Sequence, residues 1–418
     1  MCQIKRKANF LSLVFLLFFV LVSCERDNNI PINTRLDQDT FTPCLNGFAG
    51  EYPCNDYDLM SNIPLSTFNA EESGNDSWGW VDANTGKEYA IMCLDNGVGF
   101  VDISNATDPV YLGKIPTATS TSTWRDVKVY NNHAFIVADN NFGEDSHGMQ
   151  VFDLTRLRTV TNPPEIFSVD THFTGFGRAH NIVINESTGY AYIVGANRSS
   201  TFAGGPIFIN IQNPTSPFIE GGLRDGGYSH DAQVVTYSGP DLDYTGKEIL
   251  IGSNEDEVVI ADVTDKETPI IISTISYSNV GYTHQGWLTT DMKYFILGDE
   301  TDELTFGFNT KTIILDFTDL DNPEFHFNYF GSSSAIDHNG YVKDNNYFYA
   351  NYNAGMRVLD ISNIDNSSFS EIGYFDTHPE NNNVGFEGAW SIYPYLPSGN
   401  IIISDINRGL FVVRKSGT

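Results

Sequence analysis

One phrase recurs along this chain at intervals of about fifty residues: Gly, alternating apolar residues, Asp, an apolar residue, Ser or Thr, then Asn or Asp and Pro. It reads GVGFVDISNATDP, GMQVFDLTRLRTVTNPP, GPIFINIQNPTSP, EVVIADVTDKETP, TIILDFTDLDNP and GMRVLDISNIDN, with the acidic position at Asp102, Asp153, Asn210, Asp262, Asp316 and Asp360. A seventh copy, GLFVVRKS, ends the chain with Arg414 in that place. Within each copy the apolar residues alternate or form short blocks rich in Val, Ile, Tyr and Phe, bounded by Gly, Asn, Asp and Pro. That is the pattern of short strands, and no stretch beyond the N-terminal leader sustains a helical period. Several short strands per long repeat define a propeller blade rather than a solenoid coil or a sandwich. The expectation is an all-β, seven-bladed β-propeller.

A ring of blades has to close. The last copy offers three strands, WSIYPYL, NIIISDI and GLFVV, and nothing after them supplies a fourth. The segment SNIPLSTF at 61–68 resembles the outer-strand segments PVYLGKIP and SFSEIGYF, so it is expected to complete the last blade and hide its open edge. The propeller then spans 61–418, preceded by a linker at 24–60. A closed propeller needs no partner to bury its core, so a monomer is expected.

The first 23 residues have a different character. Lys5, Arg6 and Lys7 precede an apolar block from Phe10 to Val22, followed by Ser23-Cys24. A basic start, a short apolar core and small residues before a cysteine are the layout of a lipoprotein signal peptide. The block is shorter than the roughly 20 apolar residues that span a bilayer. Cys24 becomes the lipidated first residue, placing the protein in the cell envelope on a membrane anchor, at the outer membrane or cell surface or facing the periplasm.

Export bears on the cysteines and on the charge. Cys44 and Cys54 flank a short Gly- and Pro-containing loop and are placed to pair in an oxidising compartment. Cys93 lies in the apolar run YAIMCLD and reads as a small buried hydrophobe. The formal net charge is -30, and removing the leader's cations makes the exported part more negative still. Such a field repels phosphate backbones, which excludes nucleic acid as a partner, and it attracts cations.

The phrases GVGFVDISNATDPVYLG and GMRVLDISN resemble LVIVD repeats. With CLNGFAGEYPC, WGWVDANTGKEYAI, WRDVKVYNNHAFIV, GYSHDAQVV, SNEDE and GYTHQGWL in the same order, nearly the whole exported chain resembles the choice-of-anchor B family of exported bacterial proteins. The resemblance implies an extracytoplasmic propeller of LVIVD-type repeats on one of several anchoring devices. It implies no biochemical activity.

Aligning the copies places the openings of the first strands at SWGWV, RDVKV, HNIVI, HDAQV, HQGWL, HNGYV and EGAWS. The leading column reads Ser77, Arg125, His180, His230, His284, His338 and Glu387, so four of the nine histidines hold equivalent places in consecutive blades. First strands line a propeller's channel, so these positions form a ring at its mouth. Imidazoles with a carboxylate suit Zn, Cu, Fe or Ni better than Mg or Ca. The predicted metal ligands are therefore His180, His230, His284, His338 and Glu387, with a divalent transition metal as the implied cofactor. Arg125 is available to balance Glu387 or hold an anion, and Asp126 and Asp231 to orient imidazoles. Acidic loops after the second strands, with Asp256, Asp299 and Glu300, fall on the same face. Tyr228 and Tyr282 read as packing residues. Histidines in such a column also serve simply to satisfy neighbouring backbone groups.

Two functions follow. The first is a binding or interaction module presenting its acidic, histidine-lined face to a protein, glycan or small molecule. The alternative is a metal-dependent oxidoreductase or hydrolase. No His-Glu-x-x-His, phosphate loop or Gly-x-Ser-x-Gly occurs to favour a known catalytic class.

Overall fold

In the computed structural model, which describes residues 41–139 and 146–418, the recurring acidic residue ends the third strand of each repeat. Its side chain folds onto the chain two residues ahead: Asp102 accepts from the backbone N of Ser104 at 3.0 Å, Asp262 from Thr264 at 2.9 Å and Asp316 from Thr318 at 2.8 Å. Asn210 does the same for Gln212 at 3.1 Å. A short side chain that accepts from its own backbone turns the chain, which is why this position recurs. Arg414 instead donates to Asn400 on the neighbouring strand.

The strands form seven sheets, each an antiparallel meander with its first strand innermost, and Glu165–Ile166 adds a short parallel strand to the outer edge of the first. The inner strands are Gly74–Val81, Trp124–Tyr130, Asn181–Asn185, Asp231–Thr236, Thr283–Leu288, Gly340–Lys343 and Ala389–Tyr393. Each touches the next and the seventh touches the first, so they surround one axis. Apolar side chains of facing sheets fill the gaps between blades. Between the first and second blades, Phe100, Phe152 and Phe167 pack with ring centroids 4.9 to 5.9 Å apart. Burying one such ring contributes about 2–3 kcal/mol.

The ring closes as the sequence suggests. Tyr57–Ile63 pairs antiparallel with Gly409–Lys415, from Tyr57 opposite Lys415 to Ile63 opposite Leu410, and completes the seventh blade. The closing strand starts earlier than 61 and ends at Pro64, which has no N–H to continue the ladder. Leu65–Phe68 turns away as a short 3-10 helix, and Phe68 packs edge-on against Tyr111 at 5.0 Å.

The segment ahead of the closing strand departs from the expected linker. Tyr52–Asn55 adds a strand to the outer edge of the sixth blade, with Cys54 opposite Phe375, and Phe48–Ala49 pairs onto it in turn. Tyr52 reaches across to Phe411 of the seventh blade at 5.2 Å. The expected Cys44–Cys54 disulfide is present. Cys93 is fully buried, and burial pushes its thiol well up. Cys24 and the leader lie outside the described residues. Among the described residues no helix is long and apolar enough to cross a membrane.

Candidate functional site

The histidine column converges. Ring centroids lie 4.3 Å apart for His180 and His230, 4.6 Å for His230 and His284, and 4.4 Å for His284 and His338. Backbone pairing at the top of the inner strands sets this level: His180 N donates to Val194 O, His230 N to Ser253 O and His338 N to Ala350 O. His284 stands in a bulge of its strand. All four are at least nine-tenths buried, His284 to 2 % exposed. Gly195 leaves room for His180, since its φ is 64° and a Cβ there would lie 2.2 Å from His180 Cβ.

The ends of this arc differ from the aligned column. Trp124 packs on His180 at 5.4 Å and Trp390 on His338 at 4.7 Å, so tryptophans take the places assigned to Arg125 and Glu387. Arg125 follows Trp124 directly but does not join the imidazoles. Its guanidinium, 1 % exposed, turns between blades to donate to Leu94 O, Asp95 O, Thr117 and His147. Glu387 lies ahead of the strand and faces His378 at 3.6 Å from an exposed position. Ser77 is fully buried, its backbone N bonded to Asp76, away from the imidazoles.

Glu300 supplies the carboxylate instead. Its Oε2 lies 3.8 Å from His284 Nε2 and its Oε1 lies 3.7 Å from His338 Nε2, while Tyr352 donates to Oε1 at 2.8 Å. Ligand atoms of His230, His284 and Glu300 all fall within 4.8 Å of one another. The protonation pattern suits a ligand set. His338 Nδ1 is 2.6 Å from Trp390 O, which only accepts, so Nδ1 carries the hydrogen and Nε2 the lone pair. His230 Nδ1 meets the Tyr282 hydroxyl at 3.0 Å. When the hydroxyl oxygen accepts from Nδ1, the lone pair falls on Nε2 of His230. Tyr282 thus positions His230 rather than merely packing, while Tyr228 does pack, under the Arg198 guanidinium.

His230 Nε2 and His284 Nδ1 are buried and have no hydrogen-bond partner. Burial, reinforced by the neighbouring imidazoles, holds His230 and His284 well below the usual histidine range, and burial lowers His338 as well. The site therefore presents neutral imidazoles with free lone pairs beside a carboxylate. Metal–nitrogen and metal–oxygen bonds of about 2.0–2.2 Å put two tetrahedral ligands roughly 3.4 Å apart. The 3.7 and 3.8 Å gaps to Glu300 are close to that spacing and too long for hydrogen bonds.

The remaining predicted residues serve other ends. Asp299 is fully buried and accepts from the backbone of Gly281 and Tyr282, fixing the loop that carries Tyr282. Asp126 pairs with Lys128 at 2.6 Å and accepts from Ile182 N, and burial raises its carboxyl. Asp231 faces the channel below the imidazoles, its carboxyl pushed up to about 8 chiefly by burial. Asp256 is exposed. Asp139, from the second blade's acidic loop, reaches His180 at 3.6 Å.

Solved structures share this architecture. The chain is similar to the β-propeller domain of Cps50 (Swd1) from Myceliophteria thermophila, with TM-score 0.53 at 10% identity over 86% of this chain and 99% of that one. It is similar to Kuenenia stuttgartiensis hydrazine synthase, with TM-score 0.52 at 13% identity over 79% and 93%. A Lactobacillus plantarum protein gives 0.50 at 11% identity over 80% and 88%. Likeness at such identity shows the fold alone. No family model and no curated protein matches the sequence. The chain is a seven-bladed β-propeller.

Proposed function

We propose that this chain is an exported bacterial lipoprotein, anchored through Cys24, whose propeller is a binding module with its ligand end at the histidine-lined mouth. The group bound there is a divalent transition metal ion, held by Nε2 of His230, by His284 and by Glu300, with His338 against the other oxygen of Glu300. The observation that carries this reading is a fully buried His230 Nε2 with no partner, facing a cluster of neutral imidazoles around one carboxylate. A buried ring nitrogen left unpaired costs about 1–3 kcal/mol, and a metal ion recovers it. The chain's strong negative charge draws cations to the mouth.

Binding is favoured over metal-dependent catalysis because the imidazoles pack ring on ring at 5% exposure or less for three of them. A catalytic ion keeps a coordination position open to substrate, and this packing closes it. The anchor rests on the leader and on the resemblance to choice-of-anchor B proteins.

Two measurements test the reading. Elemental analysis of protein purified without chelator is expected to find a transition metal that is lost in a His230→Ala/His284→Ala variant; equal, negligible metal in both overturns the metal. Replacing Cys24 with Ser is expected to move the protein from the membrane to the soluble fraction, and an unchanged distribution overturns the anchor.

A further inference from the structure

Past the imidazoles the channel widens into a cavity of about 390 Å³ to which all seven inner strands contribute. On each strand the lining residues follow the mouth residue: Asp231 and Gln233 after His230, Gln285 and Trp287 after His284, Tyr341 after His338. The far end reaches solvent at Glu186, on the face opposite the histidines. The volume is at the small end of the range for ligand sites, about 300–1,000 Å³.

The wall joins aromatic rings to acids. Trp78 and Tyr393 meet edge-on at 4.9 Å, Trp287 and Tyr341 at 5.0 Å, and Trp78 and Tyr341 at 6.0 Å, forming a continuous aromatic panel. Asp76, Asp231 and Glu186 are its acids and Lys128 its cation. Lys128 is already engaged, 2.6 Å from Asp126, 3.5 Å from Asp76 and 4.7 Å above the Trp78 ring. Asp231 receives a hydrogen bond from the adjacent Ala232 N, and among the described residues neither it nor Glu186 has an ion-pair partner.

We propose that this cavity binds a small organic cation bearing a primary or quaternary ammonium group, with Asp231 and Glu186 as counter-charges and the aromatic panel as walls. The protein shows the chemistry with its own side chain, since the Lys128 ammonium rests on a tryptophan face between two carboxylates. Ring faces attract an ammonium, and desolvation strengthens the attraction. An anion finds the one cation of the wall, Lys128, already committed to Asp126 and Asp76. A neutral sugar stacks on the rings yet gives Asp231 and Glu186 no ion-pair partner, which an ammonium supplies.

The test uses chelator-stripped full-length protein titrated with choline and with 1,4-diaminobutane, with glucose as the neutral control. Binding is read by calorimetry and by the fluorescence of the tryptophans. Saturable binding of an ammonium probe with Kd of about 1 mM or tighter is expected. It weakens at least about tenfold in Asp231→Asn, and measurably in Glu186→Gln, whose exposed position leaves folding undisturbed. Because the protein is stripped of metal, binding seen here is separate from the metal at the mouth. Failure of both ammonium probes to saturate, glucose binding as tightly, or undiminished affinity in the folded carboxylate variants overturns the proposal.

Discussion

His338 and Glu300 face each other across 3.7 Å, nitrogen to oxygen, and each is already held from behind. The Trp390 carbonyl fixes the imidazole through Nδ1, and the Tyr352 hydroxyl fixes the carboxylate through Oε1. Two oriented groups stop short of bonding each other, and the space between them is left for something smaller than a residue. In this way a backbone carbonyl on one blade and a phenol on another orient an imidazole and a carboxylate towards each other.

Removing the phenol tests that arrangement. Tyr352→Phe keeps the ring stacked near His338 and loses the hydrogen bond to Glu300. Metal affinity is expected to fall about 10- to 100-fold with little loss of stability. Competition with a chromophoric chelator measures the first and urea unfolding the second. Unchanged affinity would separate Glu300 from the site.

Acid is expected to destabilise the metal-free protein from a higher pH than carboxylate titration explains. His147, against the Arg125 guanidinium, is held down to about 3, first by burial and then by that charge. The folded state keeps it neutral while the unfolded chain takes a proton as pH falls through the ordinary value of 6.5. The contribution of His147 is therefore complete above that value and declines from there towards pH 3; buried His230 and His284 act in the same direction, and the raised carboxyls of Asp126 and Asp231 act in the opposite one. Denaturant midpoints at a series of pH values measure the slope, and His147→Gln reduces it.

Closure predicts where the fold is vulnerable. Ile63, fully buried on the closing strand, packs between the seventh and first blades with Phe68 and Leu410. Ile63→Ala is expected to cost about 2–5 kcal/mol. Because the blades share one ring, unfolding by circular dichroism and by tryptophan fluorescence should shift together. A change confined to one probe would show that the seventh blade opens alone.

The Cys44–Cys54 bridge closes a loop of sequence separation 10 on the edge of the sixth blade. Its loss in Cys44→Ser/Cys54→Ser should cost about 2–4 kcal/mol, read as a lower urea midpoint. The same loss is expected for wild-type protein under reductant. Equal midpoints would show the edge strand to be held by its ladder alone.

The blades were legible because their signals are local. Each Asx turn and each alternating strand is written within a few residues, and repetition reveals the period. The four histidines were legible for the same reason, since one residue per period becomes one residue per blade. Glu300 was visible as an acidic loop residue, but its meeting with two imidazoles depends on how far a loop folds inward. Arg125 misled because its position does not say that the guanidinium turns between blades, and Glu387 because a column drawn in sequence cannot register a bulge. Pairing slips between Ala389 and Ser391, and Gly388 turns the chain with φ 85°, so Trp390 rather than Glu387 reaches the ring. The edge strand at Tyr52–Asn55 was hidden because its partner lies over three hundred residues away.

The central claim is that His230, His284 and Glu300 share one metal ion. Calorimetric titration of chelator-stripped protein with Zn²⁺, alongside His230→Ala/His284→Ala and Glu300→Gln, tests it most directly. The account predicts one saturable site per chain in the wild type, abolished in the double variant and weakened in Glu300→Gln. Absence of saturable binding in the wild type, or equal binding by all three proteins, would contradict it.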